Sequence, residues 1–154
     1  MQIAFFLTTK AESSYLLESA TLRQALEKME FHHFAAMPVL NNDGLYLYTL
    51  FLEDCLAIFK RRPTLCFADT KRIMIRDIKA SRQIDAVNIS ASLDELIDKT
   101  IEQNFIPVVD DLGTYIGLVR RRAIIEYYRP LLLQLKPQEG WRTPPLSAAT
   151  NLGS

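Results

Sequence analysis

The chain has 154 residues, 49% hydrophobic and 23% charged, a composition that supports a buried core without staples and excludes wholesale disorder. Its 18 basic and 18 acidic residues cancel, so the electrostatic surplus of a general nucleic-acid binder is missing. Cys55 and Cys66 have no metal-ligand spacing and are read as reduced thiols.

The N-terminal MQIAFFLTTK has neither a basic leading region nor a small-residue cleavage site, and its apolar run is far below the roughly 20 residues a bilayer needs. It reads as an N-terminal strand or partner-covering segment of a cytoplasmic protein. A short strand follows at Tyr15 to Leu17. Thr21 with Gln24 then forms a capping-box signature, and Leu22, Ala25, Leu26 and Met29 fall at helical spacing. Next comes the apolar run Met37-Pro38-Val39-Leu40, whose proline cannot donate a ladder hydrogen bond and is expected at a strand start or edge. The turn Asn41 to Gly44 leads into a second strand, Leu45 to Leu50, and a closing helix over Leu52 to Phe59.

The same order recurs at an offset of about seventy residues. Ala86 to Ile89 reads as the short strand, and Ser92 with Glu95 as the cap. Leu93, Leu96, Ile97 and Ile101 form the apolar stripe, and Ile106-Pro107-Val108-Val109 the proline strand. The turn Asp110 to Gly113, the strand Thr114 to Val119 and a helix over Arg121 to Tyr128 complete the copy. Two β-α-β-β-α repeats of an α/β (α+β) protein are thus predicted: 1–62 as the first unit with its N-terminal strand, 63–84 as a basic linker, 85–129 as the second unit, and 130–154 as a tail. Within the linker, Ile73 to Ile78 reads as a short strand or turn. The LLLQL of the tail is expected to finish packing, with Pro137 to Ser154 mobile and Trp141 a weak anchor.

The capped helix, the apolar-Pro-Val strand, the Asp/Gly turn and the junctions YTLFLED and GLVRRRA together resemble the CBS-domain family over residues 11 to 129. The resemblance implies a pseudo-twofold pair of units with two clefts between them. It also implies a homodimer, and an adenosine-containing ligand such as AMP, ADP, ATP or cyclic di-AMP in place of any required cofactor. The family's ligand signature is Gly, two apolar residues, Thr or Ser, two variable residues, then Asp. Both copies depart from it. Tyr48 and Phe51 replace Gly and Thr/Ser in the first, which keeps Asp54; the second keeps Gly117 but has Arg120 and Ala123 at the later positions.

By that resemblance Asp54 would grip ribose hydroxyls, although an acid in a first helical turn is also explained by the helix dipole alone. Arg120, Arg121 and Arg122 offer guanidinium forks for phosphate, or else exposed charge and an interface ion pair; three adjacent residues cannot all face one cleft. Met37, Pro38, Phe105, Ile106 and Pro107 would wall base pockets or simply build core. Phe51 and Tyr48 are bulky enough to fill the first cleft themselves. His32 and His33 are adjacent and diverge, which suits a helix end rather than a shared metal. No nucleophile elbow, zinc spacing or glycine-rich phosphate loop points to an enzyme. A non-catalytic sensor working through an unknown effector protein is expected, without nucleic acid or membrane; the rival is a ligand-free dimerisation module.

Overall fold

Helix formation in both halves begins at a hydroxyl. The structure, a computed structural model, describes residues 2–135. Helix α1 (Leu22–His32) starts at Thr21, whose Oγ1 accepts the Gln24 N–H at 3.2 Å while Gln24 Oε1 accepts the Thr21 N–H at 2.9 Å. Helix α3 (Leu93–Glu102) starts at Ser92, whose hydroxyl accepts the Glu95 N–H at 3.2 Å. Only this half of the expected box forms there: Glu95 is exposed and its carboxylate makes no bond back to the Ser92 N–H. His33 ends α1 in the left-handed conformation at φ 56°, and its neighbour His32 turns its Nε2 to the Ser14 hydroxyl at 3.1 Å.

Each helix covers a small sheet. Strands β2 (Leu16–Leu17), β3 (Ala36–Leu40) and β4 (Tyr46–Phe51) lie in the order β2-β3-β4, and α2 (Leu52–Arg61) follows. The second repeat has β5 (Val87–Asn88), β6 (Phe105–Val109) and β7 (Tyr115–Arg120), followed by α4 (Arg121–Gln134). Registers match between the copies: Ala36 faces Phe51 as Phe105 faces Arg120, and both hairpins carry an irregularity at the second residue after the proline. The Leu52 N–H bonds to the Ala35 carbonyl at 2.8 Å, as Arg121 does to Asn104 at 2.9 Å.

Both prolines lie mid-strand in the central strand of their sheets, not at the start or edge expected of them. The reason is the shortness of the first strand. The Glu18 N–H binds the Leu40 carbonyl at 2.9 Å, so Leu40, and by alternation Pro38, face β2. Strand β2 begins only at Leu16, opposite Val39, so the donor that Pro38 lacks falls short of the ladder. Pro107 is placed identically beside β5.

The two turns meet across the pseudo-twofold. Leu45 bridges Thr114, the Tyr46 N–H donates to the Gly113 carbonyl at 3.2 Å, and the Tyr115 N–H to Gly44 at 2.9 Å. The tyrosine hydroxyls then cross to the segment ahead of the opposite repeat. Tyr46 donates to the Ile84 carbonyl at 2.7 Å, leaving Thr49 to donate to it at 2.9 Å, and Tyr115 meets the Ser13 hydroxyl at 2.9 Å. Burial pushes both phenols up to about 12.

The segments flanking the repeats do not sit where the sequence reading put them. Strand β1 (Leu7–Thr9) pairs antiparallel with β7, so the N-terminal strand completes the second repeat's sheet rather than the first's. Gly117 permits this: a Cβ there would lie 2.2 Å from the Thr8 carbonyl oxygen. Residues 67–77, read as linker, form two 3-10 helices (Phe67–Arg72 and Ile75–Asp77), and Ile75 and Ile78 are buried in the first repeat's core with Leu22, Met29 and Leu50. Burial of apolar side chains makes this connector structural.

The chain divides into two compact units at Ile124/Ile125. Both repeats, up to the first turn of α4, belong to the first. The described part of the second is the rest of α4 with Leu135; the helix runs through Pro130 to Gln134, past the expected end at Tyr128, and its Tyr127 and Tyr128 rings meet edge to face at 5.0 Å. The expectations for Pro137 to Ser154, Trp141 included, lie outside the described residues.

Candidate functional site

A cleft of about 440 Å³ opens between the two proline strands, both within the first unit. Its walls carry Phe34, Phe51 and Phe105, and its charge comes from Arg82, Arg120 and Arg122 against Glu102. The aromatic and cationic groups are paired. The Arg120 guanidinium lies 5.3 Å from the Phe34 ring centre and that of Arg82 lies 4.5 Å from Phe51. Arg82 also bridges Glu53 at 2.6 Å, an exposed pair of small energetic weight. Each arginine is therefore held loosely over a flat surface that a planar ring could share.

Of the residues singled out in sequence, the cleft brings together Pro38, Phe51, Phe105, Arg120 and Arg122. Met37, Ile106 and Pro107 are buried and do not line it. Arg121 donates a long 3.4 Å bond to the Ile101 carbonyl and does not line the cleft. Asp54 is buried too, at 4% exposure: its Oδ2 accepts the Phe51 N–H and its Oδ1 the Ser81 N–H, both at 2.9 Å. Its two oxygens are spoken for by backbone. A ribose would have to displace Ser81 to reach it.

Tyr48, standing where the second copy has Gly117, donates its hydroxyl to the Ile75 carbonyl at 2.9 Å and anchors the connector instead of entering the cleft. Arg82, Phe34 and Gln103 are among the cleft residues that escaped the sequence reading. Arg82 sat within a stretch taken for linker, and Phe34 follows the two histidines beyond the helical stripe. Gln103, whose buried Oε1 meets no donor of the described residues, ends a helix read only for its apolar face.

The profile of the CBS domain matches residues 12–61 and again 72–130. The chain belongs to the CBS-domain family. It is a tandem CBS pair with two β-α-β-β-α repeats, as the registers above already paired them. No curated protein matches the chain. Among solved structures it is similar to CbpB in complex with c-di-AMP (18% identity, TM-score 0.75, covering 86% of this chain and 87% of that one). A hypothetical conserved protein from Geobacillus kaustophilus superposes at TM-score 0.77 with 17% identity, over 85% of this chain and 98% of its own. CBSX2 in complex with AMP gives TM-score 0.67 at 19% identity, over 85% and 98%. These likenesses concern the fold. Among the described residues no helix is long and apolar enough to cross a membrane, and no group of three or more His, Cys, Asp or Glu side chains is placed to hold a metal ion.

Proposed function

We propose that this CBS pair is a regulatory module whose cleft takes an adenine nucleotide, AMP, ADP, ATP or cyclic di-AMP, and signals through a partner protein. The observation that carries the reading is the three phenylalanine rings and three guanidinium groups lining one cleft of about 440 Å³. A base stacks on the first set and phosphate pairs with the second. The unpaired Gln103 acceptor offers a partner to a donor such as an exocyclic amine, since a buried acceptor left alone costs roughly 1–3 kcal/mol. Similar folds have been solved with c-di-AMP and with AMP, which agrees with the chemistry of this cleft.

The ligand acts by differential affinity: the relative placement of the two repeats that best fits it becomes the dominant one, and the partner reads that surface. The module works as a cytoplasmic homodimer. Exposed Phe31 of α1, Leu56 of α2 and Ile101 of α3 supply apolar area for the second copy. Thermal unfolding and calorimetry with the four nucleotides test the reading. A ligand at a hundred times its Kd stabilises by about 2.7 kcal/mol, and a panel that moves neither readout at millimolar concentration ends it.

A second reading has its own observation. Asp54 is saturated by backbone donors and Arg82 already covers Phe51, so the first repeat's share of the cleft is filled by the chain itself. A ligand-free dimerisation module is what a silent nucleotide panel would leave.

A further inference from the structure

Charge in this neutral chain is segregated. Residues 60–82 hold eight Lys and Arg against Asp69 and Asp77, so the remainder carries the compensating negative surplus. Part of that cationic segment folds over α2 and encloses a groove of about 780 Å³, separate from the nucleotide cleft but sharing Arg82 with it. Its acids are mostly consumed internally: Asp54 accepts the Phe51 and Ser81 N–H groups, and Glu53 pairs with Arg82. That leaves Arg61, Arg62 and Lys79, all exposed, and Asp77 as the groove's charged lining, with Ile58 and Ile73 as apolar lining.

We infer that this groove is a docking surface for an acidic segment of a partner protein, one that presents carboxylates flanking an apolar side chain. Net positive charge with no ion-pair partner among the described residues draws the carboxylates in and sets the encounter rate. The isoleucines of the lining give an apolar side chain somewhere to lie. A nucleic acid fits less well: its uninterrupted phosphates would run past Asp77 and Glu53, and the groove has no aromatic wall for base stacking. The shared Arg82 explains why such a surface belongs on a sensor, because a ligand that moves Arg82 off Phe51 moves one wall of the groove. The inference takes from the proposed function that a partner protein exists, and the link through Arg82 takes from it that a ligand enters the cleft.

Fluorescence anisotropy of the full chain, without nucleotide, tests it. The probes are a short labelled peptide of Glu and Leu, its Lys and Leu counterpart, and single-stranded and duplex DNA of similar length. The expected result is salt-sensitive binding of the acidic peptide alone, weakened about tenfold or more in Arg61→Glu/Arg62→Glu/Lys79→Glu. The variant Lys71→Glu/Arg72→Glu/Arg76→Glu changes net charge equally outside the groove and is expected to retain most of the affinity. Equal loss in both variants, no binding of the acidic peptide, or tighter groove-dependent binding of DNA each overturns the inference. Lys79→Glu alone, expected to weaken binding severalfold, serves if the triple variant does not fold. Because nucleotide is left out, a failed nucleotide panel does not decide this experiment, nor this experiment the panel.

Discussion

The Asp54 carboxylate accepts the Ser81 N–H at 2.9 Å and so ties the connector to the first turn of α2. The equivalent tie in the second repeat is made differently. There Ala123 replaces the aspartate, Gly117 replaces Tyr48, and the incoming segment is held as strand β1 by a backbone ladder on β7. Tyr48 carries a side chain where Gly117 admits Thr8 so closely that a Cβ would meet its carbonyl, so the connector cannot zip onto β4 in the manner of β1. A buried carboxylate supplies the attachment instead. Tyr48 in the first copy and Ala123 in the second, two of the four departures from the family's signature, thus go with two different ways of holding the incoming segment.

Asp54→Ala is expected to destabilise the fold by about 2 kcal/mol or more, because two charge-assisted bonds from backbone N–H groups to the buried carboxylate are lost. Urea denaturation reads the loss, and hydrogen exchange at the Ser81 amide shows whether the connector has come free. Unchanged protection there would contradict the tie.

Gly117→Ala is expected to release β1. The added Cβ has backbone, not a flexible side chain, 2.2 Å away, so the strand must move and the ladder from Leu7 to Thr9 opens. Exchange protection of those amides should collapse while that of β6 persists.

Alkaline stability follows from the tyrosines. Burial raises Tyr46, Tyr48 and Tyr115 from the usual value near 10 to about 12. Between those limits the unfolded chain has lost the protons that the folded chain still holds, so stability is intact below pH 10 and falls as pH rises towards 12. At neutral pH Tyr115→Phe should cost about 1 kcal/mol, for its one hydrogen bond to Ser13, and Tyr46→Phe about 2 kcal/mol, for its bonds to Ile84 and Thr49, and both should flatten the alkaline fall. A spectrophotometric titration showing all three phenols ionising near 10 would refute the assignment.

For the nucleotide cleft, Arg120→Ala and Arg122→Ala are expected to weaken ATP more than ADP and ADP more than AMP, with losses of about tenfold or more per arginine for ATP. Calorimetry on each pair of variant and ligand measures it. Equal losses for all three nucleotides would mean these side chains do not read phosphate.

The repeats were legible because their signals are local: a hydroxyl before an amphipathic helix, a proline inside a short apolar run, and an Asn or Asp three residues ahead of a glycine. Asn41 and Asp110 each accept two backbone N–H groups within their own turns, which is why the residue type alone announces them. Partnership between distant segments left no such mark. Nothing near Leu7 tells that it will face Val119, and Ile75 looks like any connector apolar until Leu22 and Leu50 surround it. The candidate site was half visible for the same reason. Phe51 and Arg120 sit at the junction the family motif marks, whereas Arg82 reaches the cleft only because the connector is folded back.

The pairing of Leu7 with Val119 also sets a timetable. During synthesis β1 leaves the ribosome early and has no neighbour until β7 follows, more than a hundred residues later by the same register. For that interval an apolar edge that includes the buried Ile3 and Phe6 is left uncovered, and the second sheet closes only when the far end of its hairpin arrives. A bulky group fused ahead of Ile3 would therefore penalise the yield of folded chain more than its stability, since the vulnerable species is the nascent one.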